Sequence, residues 1–483
     1  MNRQLADAHS DEALARWTVW GYLAVAAFAA MLPMVRAFYR VEITYNEGWN
    51  VYNASAVAHH QMLYPAAYGW TTVNYPMLSF AIVAWLHRLT HDYLFTARVL
   101  SLLATLACGV LAGLIVRRIA GSGRAGWITG AYTIAIFCGL ADFYVGQADP
   151  EMLALAVFMA GLLLYVAGRK NLVALAGVAA IFVIAGNIKH DPLGFPVAVV
   201  LDLLLLSWRK AVWFCAWGAA FVAPAVWLNV QYGGPGFFLQ LAAPRTFSAV
   251  KGLEQMGSVF GPLLLPLALA VYAAVRERAD VRVRVLAFLL AAGLVLGMVF
   301  GGGTGVSVNA QFTAILATAM LTGIALLRIW RGDWGWAGPR VRRFAPVAVL
   351  AWMVIPLIVG NTWNPVGRLR ETIADQRYFD ADVALLSAQN GPALCESLLR
   401  CYFAGKPYDY DPFNATRLIK FHKLDDSVML DALREHRYGA VQLDNLQDDD
   451  AFSDRFDPAI AAAINQNYKP VLEHEGATIY LPR

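Results

Sequence analysis

Residues 17–55 read WTVWGYLAVAAFAAMLPMVRAFYRVEITYNEGWNVYNAS. The first half, Trp17 to Val35, is an apolar run long enough to cross a hydrocarbon core of about 30 Å, and it carries no small-residue cleavage site. It reads as a retained membrane helix. The second half turns abruptly polar and aromatic, setting one carboxylate, Glu47, among Asn46, Trp49, Asn50, Tyr52 and Asn53. If a helix starts near Glu47, then Val51, Ala54, Val57 and Ala58 form an apolar stripe that lays it along the membrane interface. Glu47 then sits at that helix's N-terminus, where a carboxylate serves the helix dipole or something chemical.

The whole chain repeats the alternation. Of 483 residues, 59% are hydrophobic and 15% charged, far from the soluble average of roughly 45–50% and about 25%. Apolar runs of spanning length recur at 17–37, 95–116, 126–145, 150–168, 172–188, 192–207, 211–229, 258–275, 285–300, 310–327 and 344–360, which predicts about eleven transmembrane helices. Every second connection is basic: 117–124, 168–171, 208–210, 276–284 and 328–343. Lys and Arg stay on the cytoplasmic side, so these loops and the N-terminus, residues 1–16, are expected there. The net charge of +4 reflects this placement, and no nucleic-acid partner follows from it.

The opposite face then carries the loop 38–94 and the shorter segments up to 309, with the tail 361–483 beyond the membrane domain 17–360. The tail holds 19 Asp and Glu against 13 Lys and Arg, a balance compatible with translocation. Helical spacing in FDADVALLSAQNG and DDSVMLDALREHR, with strand-like YGAVQL and a hairpin in KPVLEHEGATIYLPR folding at Glu475-Gly476, predicts a small α/β domain with helix caps at Asp425 and Asp457. Cys395 and Cys401, with five residues between them, are either a disulfide or two buried thiols. Cys108, Cys138 and Cys215 lie in apolar runs and read as small buried hydrophobes.

Four further constellations share the face of Glu47. Asp149 and Glu151 flank Pro150 at the mouth of a span, as a helix cap or as carboxylates facing a wet cavity. Lys189, His190 and Asp191 fill a tight turn between two spans, where the lysine faces an anionic ligand or pairs with Asp149 or Asp191. Residues 230–257 form a long loop with Arg245 and Lys251 that reads as a lid. GGGTGVSVNAQ, 301–311, lets backbone approach a ligand and sets Asn309 at the start of a span.

Other chemistries lack their patterns. The histidines are scattered apart from the His59-His60 pair and His87/His91, and no thiolate cluster accompanies them. No Gly-x-Ser-x-Gly occurs, and the glycine run lacks the spacing of a nucleotide loop. NAS at 53–55 and NAT at 414–416 match glycosylation sequons.

The order of these pieces resembles the GT-C glycosyltransferases, in particular the branch with the protein O-mannosyltransferases and lipid A aminoarabinose transferases. The likeness covers about residues 15–330 and rests on the acidic first loop, the interfacial helix, VNYPMLSF, the Asp-Pro span start and the Lys-bearing turn. In those relatives the first loop carries an Asp-Glu pair that supplies the catalytic carboxylate; here it reads Asn46-Glu47, which leaves Glu47 as the base. Their Lys-Pro is Asn74-Tyr75-Pro76 here, and Asp149 and Lys189 match a second acid and a phosphate-binding lysine.

The resemblance implies an inverting transfer of a hexosyl or pentosyl group from a polyprenyl-phosphate donor to a hydroxyl acceptor of the cell envelope: a glycolipid, polysaccharide or protein. It places the protein in the inner membrane with a periplasmic tail. Glu47 and Asp149 are the expected catalytic pair, with a divalent cation as one partner for Asp149. Lys189, Arg245 and Lys251 are expected on the donor phosphate, and Asn46, Trp49, Tyr52, Asn74, Tyr75, His190 and Asn309 on sugar or acceptor. A transporter or flippase would share the charged face, but no repeated, interrupted spans occur in the two halves. A scaffold acting through the acidic tail leaves the loop constellations without a use.

Overall fold

The computed structural model describes residues 2–444, 455–474 and 476–483. A helical bundle runs from Asn2–Arg36 to Val354–Val359, and a small sheet with short helices follows it. Among the described residues seven helices are long and apolar enough to cross a membrane, eight when the bent pair Ala249–Phe260 and Leu264–Arg276 counts as one crossing, against the eleven expected. Length explains two of the three: Leu172–Ile188 and Gly194–Leu206 are apolar but have only 17 and 13 residues, while Gly123–Leu140 has 18 residues but is diluted by Arg124, glycines and threonines. The bent pair turns by 95° where Gly261 and Pro262 interrupt it.

Phe312–Arg331 is the axis of the bundle, with nearly every residue buried. Two neighbours, Tyr93–Ala120 and Gly123–Leu140, pack backbone to backbone through facing glycine pairs, Gly109/Gly113 and Gly126/Gly130. A Cβ added at Gly113 would stand 2.6 Å from the Gly126 carbonyl oxygen, and one at Gly130 would stand 2.8 Å from that of Gly109. Small residues four apart on both helices permit this approach, and in an apolar solvent close packing is a main source of helix association. The outer surface exposes Trp20, Met34, Leu103, Val110, Val173, Leu205, Trp213 and Val295, a lipid-facing composition. Cys108 and Cys138 are buried as expected, whereas Cys215 is exposed on this outer surface.

After the bundle, helix Pro365–Ser387 leads to a four-stranded sheet: β1 (Ala393–Cys395), β2 (Ala440–Leu443), β3 (Tyr468–His474) and β4 (Ala477–Pro482), in the order β1-β2-β4-β3. β1 and β2 are parallel, with Ala393 opposite Ala440, and β4 is antiparallel to both β2 and β3. Of the expected hairpin turn, Gly476 takes a positive φ of 107°, and Glu475 lies outside the described residues. Asp457 caps helix Pro458–Asn467 through the Ala459 N–H. At the other expected cap the boundary residue is Asp426, and Asp425 instead accepts from Ser427 just beyond it. Cys395 and Cys401 form a disulfide. Both sequon asparagines, Asn53 and Asn414, are buried.

The sheet region sits on the first loop. Tyr52 stacks on Tyr408 and donates to the Lys406 carbonyl at 2.9 Å, the Asp411 N–H donates to the Trp70 carbonyl, and Ser397 Oγ donates to Glu42. A side chain at Gly48 would meet Leu398 at 2.5 Å, so the two regions touch at the backbone level.

Candidate functional site

The first loop is fixed from below by one ion pair. Helix Asn46–Ala58 places Glu47 in its first turn, fully buried. Arg98, in the first turns of Tyr93–Ala120, donates through Nε to Glu47 Oε1 at 2.8 Å and through a terminal nitrogen to Oε2 at 2.5 Å. The Ile43 and Ala148 N–H groups complete the carboxylate at 2.7 and 2.8 Å. Arg98 also donates to the carbonyls of Arg36, Tyr39 and Val41. The pair thereby binds the end of the first helix, the first loop and the loop before Asp149 into one unit. An arginine within an expected span was the signal for this partner, since intramembrane charges are retained for a reason.

A second knot lies beside it. Asp149 Oδ1 accepts from the Glu151 N–H at 2.9 Å, the helix-start arrangement that Asp-Pro suggests, and also receives Lys189 Nζ at 3.2 Å. Lys189 further reaches Glu151 Oε2 at 3.1 Å and the Tyr75 hydroxyl at 2.9 Å. Asn309 donates to the same Glu151 oxygen at 3.1 Å. Asp149 Oδ2 and Glu151 Oε1 are buried with no hydrogen-bond partner among the described residues. So the lysine is held by two carboxylates, and it is the turn Lys189–Leu193 that brings it there.

Above both knots opens a cavity of about 540 Å³. The first loop lines it with Tyr45, Asn46, Trp49, Asn74 and Tyr75, the turn with His190 and Asp191, the lid with Arg245, the glycine run with Gly303, Gly305 and Asn309, and the tail with Phe413 and Asn414. Trp49 packs edge-on against Tyr75 and donates to the Thr72 carbonyl. His190 Nε2 lies 3.4 Å from Asp191 Oδ1, and burial holds the imidazole below its ordinary range against the pull of that carboxylate. The lid is stitched to the glycine run: Ser248 N–H donates to the Gly302 carbonyl, Thr304 N–H to Thr246, and Lys251 Nζ to the Gly303 carbonyl.

Of the residues expected at the site, Asn46, Trp49, Asn74, Tyr75, His190, Arg245 and Asn309 line this one cavity. Glu47, Asp149 and Lys189 are buried in the two knots, Lys251 is tied to the glycine run, and Tyr52 faces the tail instead of the cavity. Tyr45, Arg98, Phe413 and Asn414 are additions the sequence did not single out. Among the described residues no group of three or more His, Cys, Asp or Glu side chains is placed to hold a metal ion.

The path of the backbone matches known structures along nearly its whole length. ArnT of Cupriavidus metallidurans in the apo state superposes with a TM-score of 0.63 at 14% identity, over 95% of this chain and 97% of that one. The chain has the GT-C fold. The same ArnT bound to undecaprenyl phosphate gives a TM-score of 0.61. The Archaeoglobus fulgidus oligosaccharyltransferase, a second GT-C structure, gives 0.56 at 11% identity over 97% of this chain and 74% of its own; it has also been solved with an inhibitory peptide and a dolichol-phosphate. No protein-family model and no curated protein matches the sequence. The likeness is therefore one of three-dimensional path, carried by the GT-C bundle together with the tail.

Proposed function

We propose that this protein is an integral-membrane inverting glycosyltransferase that moves a sugar from a polyprenyl-phosphate to a hydroxyl acceptor. The observation that carries the reading is the cavity itself: a cation on the lid, an imidazole, a carboxylate and amide side chains converge at the end of a membrane bundle, beside two buried ionic knots. The GT-C structures solved with undecaprenyl phosphate and with dolichol-phosphate support a lipid-phosphate donor. In this reading the apolar tail of the donor stays in the bilayer, and its phosphate meets Arg245.

The acceptor hydroxyl attacks the anomeric carbon from the face opposite the phosphate, which leaves with the bonding electron pair. Its proton needs a base within the cavity. Glu47 is the base expected from the resemblance, but both its oxygens are already occupied by two guanidinium and two amide hydrogen bonds. The geometry favours Asp191, which lines the cavity beside His190, with Glu47 as the positioning residue for Asn46 and Trp49. Asp149 and Glu151 hold Lys189, whose positive charge lies next to Tyr75 under the cavity floor.

The topology belongs to the same reading. Each of the eleven expected segments contains a helix in the structure, which supports eleven crossings, short ones included, a cytoplasmic N-terminus and the tail on the opposite, extracytoplasmic side. The test is sugar transfer in membranes from a panel of labelled polyprenyl-phosphate sugars, comparing wild type with Asp191→Asn and Glu47→Gln at equal folded amounts. Asp191→Asn is expected to lower kcat by about 10²–10⁴-fold with little change in donor KM. Wild type that consumes no donor refutes the transferase, and Asp191→Asn that turns over normally removes Asp191 as the base.

A further inference from the structure

The tail contributes a charge that the transfer just described does not use. Arg417, on helix Pro412–Lys420, is 4% exposed, and among the described residues none of its three guanidinium nitrogens has a hydrogen-bond partner. Its one close side-chain contact of note is the face of Phe413, one helical turn earlier, with the guanidinium carbon 5.3 Å from the ring centroid. Phe413 is itself a wall of the cavity and packs against Tyr45, another wall. Arg455 lies over the Tyr45 ring at 3.8 Å. Arg245 of the lid is an electrostatic neighbour of both Arg417 and Tyr45. Arg417 and Arg455 thus back the two aromatic walls Phe413 and Tyr45 from behind, while Arg245 lines the cavity itself.

Among the described residues the acids nearby are otherwise engaged or hold their proton more tightly than usual. Asp411 is committed to the Asn414 N–H, the Asn414 side chain and the Tyr408 hydroxyl, and burial raises its pKa. Glu396, 4.0 Å from Arg455, is pushed up to about 7 by burial. Burial beside Arg245 in turn pulls Arg417 down to about 10, the mark of a cation short of counter-charge. A buried charge without hydrogen bonds is strongly unfavourable unless something arrives to pair with it.

We propose that Arg417 and Arg245, backed by Arg455, form a phosphate-binding site at the Tyr45–Phe413 corner of the cavity. The inference rests on the transferase reading for its purpose, though the site itself is defined by the arginines. The tail then does more than cover the first loop: it supplies one of the cations that grip the ligand. The phosphate is carried either by the lipid donor or by the acceptor, and two guanidinium groups recognise both alike.

The experiment uses the full-length protein in micelles of a sugar-based, phosphate-free detergent. Wild type, Arg417→Gln, Arg417→Lys and Arg245→Gln are titrated with undecaprenyl phosphate, with undecaprenol and with inorganic phosphate. The expected result is phosphate-dependent binding that weakens about ten- to a hundredfold in both Gln variants, the worth of a charge-assisted hydrogen bond, and is partly kept in Arg417→Lys. Arg245 is exposed, so its variant reports on the site even where a change at Arg417 fails to fold.

Loss of inorganic phosphate binding with undecaprenyl phosphate unaffected also supports the site and assigns its phosphate to the acceptor. Wild type that binds inorganic phosphate through Arg417 but ignores the lipid leaves the site standing while the lipid-donor reading falls. Unchanged affinity for both probes in Arg417→Gln and Arg245→Gln overturns the inference. Arg417→Met separates a binding role from packing: a raised unfolding midpoint with lost affinity supports the site, and a lowered midpoint with full affinity overturns it.

Discussion

Replacing Arg98 by Met tests whether the first loop depends on the ionic knot beneath it. The substitution keeps most of the side-chain volume but removes two hydrogen bonds to Glu47 and those to the carbonyls of Arg36, Tyr39 and Val41. Both charged side chains are wholly buried, so Glu47 is left as an uncompensated carboxylate in the protein interior. Removing one partner of such a pair costs about 3–5 kcal/mol, a large share of a typical total of about 5–15 kcal/mol. The double variant Glu47→Leu with Arg98→Met removes both charges, so it is expected to lose less than the sum of the two single variants, with a coupling of about 2 kcal/mol or more. The three orphaned carbonyls keep it below wild type. The assay is unfolding of the purified protein in mixed micelles titrated with SDS, followed by tryptophan fluorescence. Arg98→Met that unfolds at the wild-type midpoint, or a double variant as damaged as the two singles added together, refutes the argument.

Two further perturbations address other levels. Gly113→Ala is expected to destabilise the bundle by about 1–3 kcal/mol, because its Cβ meets backbone on the facing helix; Gly123→Ala, with open space around it, serves as a near-neutral control in the same unfolding assay. Burial raises the Glu42 carboxyl from 4.5 to about 8 at its contact with Ser397. A group that holds its proton more tightly when folded contributes less stability as the pH rises, so the unfolding midpoint is expected to fall between about pH 4.5 and 8 and to level off above. Glu42→Gln flattens that part of the profile; Glu396, raised to about 7, adds a component of the same sign. A midpoint that climbs across this window contradicts the assignment.

What the sequence showed plainly was whatever depends on neighbours along the chain. The Asn46–Ala58 helix follows from the spacing of Val51 and Ala54, and the start of Glu151–Gly168 from Asp149-Pro150. β2 and the hairpin strands are visible as short apolar runs, while β1, only three residues long, carries too little pattern to detect. Partners across space were not legible. Arg98 stands 51 positions from Glu47 and is marked only as an arginine in an apolar span, so the four hydrogen bonds that fill the carboxylate were not legible. Tyr52 likewise has the type and depth of a sugar platform, but its stacking partner Tyr408 lies in the tail. The number of crossings suffers from a related ambiguity: hydropathy marks an apolar helix of 13 residues and one of 20 alike, and only the folded backbone gives their lengths. Hydropathy also cannot tell lipid from protein, which is why Cys215 read as buried.

The contact of the tail with the first loop has a consequence for biogenesis. Ser397 meets Glu42 and Tyr52 meets Lys406 across 355 and 354 positions of chain, so the loop emerges in synthesis long before the segments that roof it. Until then Gly48 and its neighbours, which pack against Leu398 in the finished protein, have no covering surface. A nascent chain, or one truncated before these segments, therefore leaves this face of the first loop uncovered. Limited proteolysis of a chain ended at Val359 is expected to cut at the first loop, which registers that opening directly.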